Sequence, residues 1–271
     1  MSRFIRQLWH FGVEQALSCL FPVIIFAALL LFQLVPIPYV PRYDAMLIVC
    51  IAAQWIMLRT KLETWDELKV ICVFHLIGLA LEIYKVQMGS WTYPQDAYTK
   101  IAGVPLYSGF MYASVASYLC QAWRRLDVEL RRWPRSYFTI PLGAAIYLNF
   151  MTHHFWWDLR WVLTVLLFIV FLRTVVTFRV KDARYGMPLT LSYLLIGFFI
   201  YVAENIGTFL GAWRYPNQEA SWNLVSLGKL SSWFLLVIVS FIIVAQLKHV
   251  KKGLEEPAGP AKGTTGAAIE K

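Results

Sequence analysis

The sequence predicts an all-α, polytopic integral membrane protein of about eight transmembrane helices in two parallel four-helix repeats. Three observations predict it: an apolar composition, apolar residues in uninterrupted blocks of membrane-spanning length, and a motif that recurs along the chain. Of the 271 residues, 59% are hydrophobic and 15% are charged. A soluble domain has about 45–50% apolar and about 25% charged residues. Uninterrupted apolar blocks, unlike amphipathic stripes, are typical of helices that lie in lipid.

Eight apolar runs approach the roughly 20 residues that cross a ~30 Å hydrocarbon core, although the second and fifth are short. They lie at residues 16–35, 44–58, 68–86, 104–123, 137–152, 159–178, 188–205 and 222–247. Helices are favoured over barrel strands because a backbone in lipid must satisfy its own hydrogen bonds. The resulting organisation is a cytoplasmic N-terminus (1–15), a first repeat (16–123), a basic cytoplasmic linker (124–136), a second repeat (137–247) and a disordered cytoplasmic tail (248–271).

Lysine and arginine in the short loops predict the orientation, because cytoplasmic loops of membrane proteins are enriched in both. With the N-terminus inside, the inner loops include Arg59, Lys61, Lys69, Arg124, Arg125, Arg131, Arg132, Arg135, Arg179, Lys181 and Arg184. The outer loops have only Arg42, Lys85, Lys100, Arg160 and Arg214. Both termini are therefore predicted to be cytoplasmic. The net charge of +9 follows from this topology and does not indicate nucleic-acid binding, whereas anionic lipids would meet the inner loops.

One motif, E-x6-G-x-W-x-Y-P, occurs twice. It begins at Glu82 and again at Glu204, 122 residues later, and its five identities include tryptophan, tyrosine and proline. A four-helix unit returns the chain to its starting side, so the two copies should be parallel and related by a pseudo-twofold axis along the membrane normal. The glycine and proline favour a turn at a helix end. The aromatic residues suit the lipid–water boundary, and this part of the motif has a purely structural explanation.

The glutamate of each motif is the stronger functional candidate. Each lies seven residues before its glycine, which is roughly 10 Å along a helix. A carboxylate at that depth costs a few kcal/mol in lipid unless it faces the protein interior, pairs with a cation or carries a proton. Glu82 has a local alternative in Lys85, whereas the equivalent of Lys85 in the second copy is Gly207. We therefore expect Glu82 and Glu204 to meet in an outward-opening cavity.

Further polar and aromatic residues are predicted at similar depth. His75 shares a helix face with Glu82, and Lys229 lies in the last apolar run, where it could neutralise Glu204 or Glu82. These four residues form the candidate catalytic set. The candidate substrate-binding residues are Trp91, Tyr93, Trp213, Tyr215, Asn205, Tyr107 and Tyr112.

A predicted outer loop contains His153, His154 and Asp158, which are residue types that bind divalent metals. A metal site would need three or four convergent ligands. The alternative is that these residues, beside tryptophans, belong to the membrane interface. No cofactor is expected, and a divalent metal remains open.

The chain resembles a family of bacterial integral membrane proteins of unknown function, the YoaT-like proteins. The resemblance rests on ELKVICVFHLIGLALEIYKV, MGSWTYP, YLNFMTHHF and AENIGTFLGAWRYPN, among other segments. It implies a location in the bacterial cytoplasmic membrane. The motif followed by Gly-Val-Pro-Leu at 103–106 is also distantly similar to carotenoid hydratases and small-subunit lycopene cyclases. Those cyclases carry Pro-x-Glu-Glu, whereas residues 105–108 here are Pro-Leu-Tyr-Ser.

Two functions of different classes follow. An enzyme that adds water to, or cyclises, a lipid-soluble isoprenoid-like substrate needs a strong acid in a dry pocket, and a buried glutamic acid supplies one. Aromatic faces would stabilise the carbocation. Alternatively, a proton- or ion-coupled transporter or channel for a small solute would use Glu82, Glu204 and Lys229 to bind or relay ions.

Overall fold

Helices form most of the chain in the computed structural model, which describes residues 3–35, 37–226, 234–235 and 237–245. Each predicted apolar run overlaps a described helix. The helices are α1 (Arg3–Ser18), α2 (Leu20–Leu34), α3 (Arg42–Arg59), α4 (Trp65–Gln87), α5 (Ser108–Arg125), α6 (Ser136–Thr152), α7 (Arg160–Phe171) and α8 (Leu189–Phe209). Residues 234–235 and 237–245 are also helical. Lys229 and the predicted tail 248–271 lie outside the described residues.

The central helix α4 shows how local sequence sets its two ends. At its start, the Thr64 hydroxyl accepts a hydrogen bond from the Glu67 backbone nitrogen, and the Glu67 carboxylate accepts one from the Thr64 backbone nitrogen. This reciprocal capping box satisfies donors that have no partner within the helix. At its end, Gly89 adopts a φ of 68°. This left-handed conformation suits glycine and stops the helix before the loop that follows.

Among the described residues, two helices are long and apolar enough to cross a membrane, α4 and α8. A third span is formed if α1 and α2 are counted together, with a bend of 65° between them. The arrangement of eight spans in two parallel repeats stays a prediction.

Short strands in the loops correct the all-α prediction. β1 (Lys100–Ile101) pairs with β2 (Val104–Pro105) in a small hairpin. A three-stranded antiparallel sheet combines β3 (Glu129–Arg131), β4 (Val175–Val180) and β5 (Ala183–Pro188) in that order. The predicted span at 159–178 is wrong at its end, because the helix stops at Phe171 and β4 follows. Its sequence, VVTFRV, is rich in β-branched and aromatic residues, which favour strands.

Contacts between helix ends group the loops on two sides. On one side, the sheet joins the segment after α5 to the hairpin between α7 and α8, and Arg124 of α5 forms an ion pair with Glu67 of α4 at 3.1 Å. On the other side, the Tyr84 hydroxyl of α4 donates to the Met151 carbonyl of α6. The first side therefore gathers the basic loops and the second gathers both motifs.

Glycines allow α4 and α5 to pack closely. A Cβ atom on Gly78 would lie 2.3 Å from Cγ of Tyr112, and one on Gly109 would lie 2.8 Å from Cε1 of His75. Real Cβ atoms do not approach other atoms this closely, so only glycine fits at the two positions. The contact brings the Tyr112 side chain across the surface of α4 toward the Glu82 turn.

Candidate functional site

The Glu82 carboxylate lies at the centre of the first motif and is 2% exposed. Its Oε2 atom accepts hydrogen bonds from Trp91 Nε1 at 2.7 Å and from the Tyr93 hydroxyl at 2.8 Å. Its Oε1 atom accepts one from the Tyr112 hydroxyl at 2.8 Å. The motif thus folds its own tryptophan and tyrosine back onto its glutamate, and α5 adds a third donor. We call these four residues the Glu82 cage.

The second motif repeats part of this arrangement. Glu204 is 7% exposed, and its Oε2 atom accepts a hydrogen bond from the Tyr215 hydroxyl at 2.8 Å. The motif glycine, Gly211, has a φ of 70°, matching the 68° of Gly89. Trp213 is buried with its ring against Gly207, where a Cβ atom would lie 2.5 Å from Cη2. In each copy, the tyrosine of the motif therefore donates a hydrogen bond to the glutamate of the same motif.

The two motifs contact each other through equivalent residues. Thr92 and Arg214, which are 122 positions apart, form an isolated antiparallel bridge. Each donates its backbone nitrogen to the carbonyl oxygen of the other, and both distances are 2.9 Å. The rings of Trp91 and Tyr215 meet edge to face with centroids 6.0 Å apart. Reciprocal bonding of equivalent residues is the pattern that a local twofold axis produces.

The packing behind the two glutamates does not follow the 122-residue offset. Tyr112 packs on Gly78 of α4. Phe234 lies 122 residues after Tyr112, but it packs on Gly197 of α8, which is 119 residues after Gly78, and a Cβ atom there would lie 2.5 Å from Cδ2 of Phe234. The two copies therefore share the motif and its tyrosine–glutamate hydrogen bond, and they differ in the helix packing behind the glutamate.

The remaining predicted catalytic residues are only partly brought together. His75 is half-buried against Phe110, with ring centroids 4.5 Å apart, and its Nδ1 atom has no partner in the described part of the chain. Lys85, the local alternative partner for Glu82, directs its ammonium group to the Phe150 carbonyl and lies 3.3 Å from Nε2 of His154. Lys229 lies outside the described residues, so its pairing with either glutamate stays a prediction.

Two of the predicted substrate-binding residues make structural hydrogen bonds. The Tyr107 hydroxyl donates to the carbonyl of Ala212, next to Trp213. Asn205 donates to the Tyr201 carbonyl and accepts from the Val225 backbone nitrogen. Both residues therefore fasten the second motif to neighbouring segments.

The three predicted metal ligands do not converge. His154 contacts Lys85 and Ser90, whereas Asp158 forms an ion pair with Arg160. The hydrogen bond from Arg160 lowers the pKa of Asp158, and burial lowers the pKa of His153. Within the described ranges, no group of three or more His, Cys, Asp or Glu side chains is placed to hold a metal ion.

Another buried carboxylate, on the side of the basic loops, was not predicted from the sequence. Glu63 is 3% exposed and contacts the Gln54 amide and the Ser117 hydroxyl. Burial raises the pKa of Glu63, and the nearby Glu67 raises it further, against hydrogen bonds that lower it. Arg124 is paired with Glu67. Glu63 lies in a loop between two apolar runs, and no motif marks it.

A cavity of about 320 Å³ opens beside the second motif. Its lining comes from the end of α2, the start of α3, the loop after α4, the end of α8 and the segment that follows α8. Thr208 lines it and also donates its hydroxyl to the backbone carbonyl of Glu204 at 3.0 Å. The cavity therefore reaches the helical turn that follows Glu204.

Comparison with known proteins places the chain in a family. The sequence profile of the family described as "Protein of unknown function (DUF817)" matches residues 7–241. The "Uncharacterized protein YoaT" of Bacillus subtilis (strain 168) is 66% identical over 250 residues, which cover 92% of this chain and 95% of that protein. No solved structure matches. Since the matched segment includes both motifs and all of α2 to α8, the chain belongs to the DUF817 family.

Proposed function

We propose that the protein is a multi-pass membrane protein that couples protons to the movement of a small polar solute, with Glu82 and Glu204 as the proton-binding groups. The main observation that supports this proposal is the Glu82 cage. A tyrosine hydroxyl both donates and accepts hydrogen bonds. Tyr93 and Tyr112 can therefore donate to the carboxylate or, after hydroxyl rotation, accept from the carboxylic acid. The cage accommodates both protonation states of Glu82 without moving a heavy atom.

The exposed residues of the helices support the membrane part of the proposal. Every exposed residue of α8 is apolar, including Leu195, Phe198, Phe199 and Phe209. A soluble monomer seldom leaves so continuous an apolar face in water. Exposed tryptophans at 156, 157 and 161 lie together near one set of helix ends, as in the aromatic belt of a bilayer interface. The eight-span topology with cytoplasmic termini remains part of this proposal.

The cavity favours a polar solute over an isoprenoid. Arginine, glutamine, threonine and glutamate side chains contribute much of its lining. A polyene would leave unsatisfied the buried lining atoms that have no partner in the described part of the chain, which are Nε of Arg42 and Oε1 of Gln95, at a cost of about 1–3 kcal/mol for each. A small polar solute can satisfy them. The cavity reaches Thr208, one helical turn after Glu204, so a bound solute would lie near this proton-binding group.

Proton flux into liposomes tests the proposal. The purified protein is reconstituted with a trapped pH indicator, and inorganic phosphate, glycine and glucose are added in turn. We expect at least one solute to drive acidification and expect Glu82→Gln and Glu204→Gln to abolish it. The matched control is Glu129→Gln, an exposed glutamate on β3. Absence of flux with all three solutes, or equal flux in all variants, contradicts the proposal.

A second candidate is an acid-catalysed enzyme on a lipid-soluble substrate. It is favoured by the aromatic surroundings of Glu82, in which the rings of Tyr93 and Tyr107 lie with centroids 6.4 Å apart. Cation-stabilising aromatic faces beside an acid are what such chemistry needs. Mass spectrometry of lipid extracted from the purified protein separates the two candidates. A bound polyene or isoprenoid favours the enzyme.

A further inference from the structure

Two arginines face the cavity beside the second motif. Arg42 comes from the start of α3 and Arg214 from the loop after α8. Gln33, Gln95, Gln218 and Glu219 also line it, so its formal charge is positive by one unit. The volume of about 320 Å³ is at the lower end of the range for small-molecule sites, about 300–1,000 Å³.

The Arg42 guanidinium is held in place by the protein. Its Nη2 atom donates to the carbonyl oxygens of Leu29 and Leu210, both at 2.7 Å. Its Nη1 atom lies near Gly211, where an added Cβ atom would be 3.5 Å away. A fixed guanidinium loses little conformational freedom when it binds a further group. This rigidity is what a binding site needs and what a solvated surface arginine lacks.

Two buried polar atoms of residues that line the cavity have no hydrogen-bond partner in the described part of the chain. The Nε atom of Arg42 is buried and has no partner in the described part of the chain, and the same holds for Oε1 of Gln95. A buried donor on a charged group is costly when it is left unpaired. The unmet donor is cationic, so the group that satisfies it best is an anionic oxygen.

We propose that this cavity binds the oxyanion group of its ligand, a carboxylate or a phosphate, with Arg42 as the fixed anchor and Arg214 as the second positive charge. The inference rests on the proposed function and names the class of solute. The negative charge of Glu219 repels the anion and so lowers the affinity of the site for it. The oxyanion belongs either to a free solute or to the headgroup of a lipid, since both would reach helix ends at a bilayer surface.

Binding to the full-length protein in a neutral detergent tests the site. Tryptophan fluorescence reports on it because Trp222 lines the cavity. The probes are inorganic phosphate, acetate and dihexanoyl phosphatidic acid. We expect saturable binding of at least one probe. Binding of the soluble anions assigns the site to a free solute, and binding of the short-chain lipid alone assigns it to a headgroup.

Three variants separate a binding site from general charge effects. Arg214→Gln should weaken binding about tenfold or more, because it removes a charge-assisted contact. Glu219→Gln should tighten binding severalfold by removing a negative charge. Arg173→Gln, an exposed arginine that does not line the cavity, should leave binding unchanged. Because Arg42 also contacts two backbone carbonyls, Arg42→Lys keeps the charge while testing the guanidinium geometry, and weaker binding is expected.

The inference is overturned if none of the probes binds saturably, or if Arg214→Gln and Arg173→Gln behave alike. Its failure is distinguishable from that of the proposed function. Anion binding without proton flux in liposomes retains the site and removes the transport role. Proton flux driven by glycine or glucose and unaffected by Arg214→Gln retains the transport role and removes the oxyanion site.

Discussion

Substituting Gly78 by alanine tests the packing that holds the Glu82 cage together. The new Cβ atom would lie 2.3–2.5 Å from three atoms of Tyr112, whereas carbon atoms in contact are about 3.5–4.0 Å apart. The ring must therefore move by roughly 1 Å or more. The 2.8 Å hydrogen bond from its hydroxyl to Glu82 would then be broken, because such bonds weaken steeply beyond about 3.2 Å.

Three effects set the expected change in stability. Overpacking costs about 1–3 kcal/mol, and the lost bond to a carboxylate costs about 1.5–3 kcal/mol. The higher helix propensity of alanine returns about 1 kcal/mol. The free energy of unfolding should fall by about 1.5–5 kcal/mol, which lowers the transition temperature by roughly 3–20 °C for a chain of this size. Thermal denaturation in detergent, followed by tryptophan fluorescence, measures it.

A matched glycine provides the control. Gly143 lies inside α6, and a Cβ atom there would meet nothing within 4 Å. Gly143→Ala should therefore leave stability unchanged or raise it by up to about 1 kcal/mol. In a Tyr112→Ala background, Gly78→Ala should no longer destabilise, because the obstructing ring is gone. A Gly78→Ala protein as stable as Gly143→Ala would refute the reasoning.

Two other predictions follow from the sequence and the structure. Because the pKa of Glu63 is raised, the contribution of Glu63 to stability should be fully present below its unfolded pKa of about 4.3 and be lost as pH rises through the folded pKa. Glu63→Gln should remove this contribution from the pH profile of stability, and parallel profiles of the two proteins would contradict it. In a cysteine-free background, a membrane-impermeant maleimide should label Glu219→Cys but not Asp182→Cys in intact cells; the reverse labelling would invert the orientation.

Apolar runs predicted where the described helices lie, because burial in lipid or in a protein core requires the same residues. They did not predict where α7 ends. The window 159–178 is mostly apolar, and apolar content alone does not distinguish a helix from the strand at Val175–Val180. The β-branched residues of that strand were the available signal. The amphipathic helix α1 was also not predicted, because residues 1–15 were assigned to a cytoplasmic N-terminus.

The candidate site was partly predictable. The repeated motif identified the glutamates and the aromatic residues that contact them, since a recurring spacing preserves local geometry. Tyr112 was predicted only as a substrate-binding residue, and its hydrogen bond to Glu82 was not predicted because the two residues lie 30 positions apart on different helices. Glu63 and Arg42 could not be found in this way, because their partners are distant in sequence and meet only in the folded chain.

Differences between the two copies supply a physical mechanism for coupling under the proposed function. Glu82 lies within its cage, whereas Glu204 lies one helical turn before Thr208, which lines the cavity. An ionised Glu204 would repel an oxyanion in that cavity. If the two charges are roughly 8 Å apart and the effective dielectric constant is near 20, the repulsion is about 2 kcal/mol, or about 30-fold in affinity. Protonation of Glu204 removes it, and binding of the anion must favour protonation by the same factor. Proton and anion would therefore bind together, which is the coupling that a symporter requires.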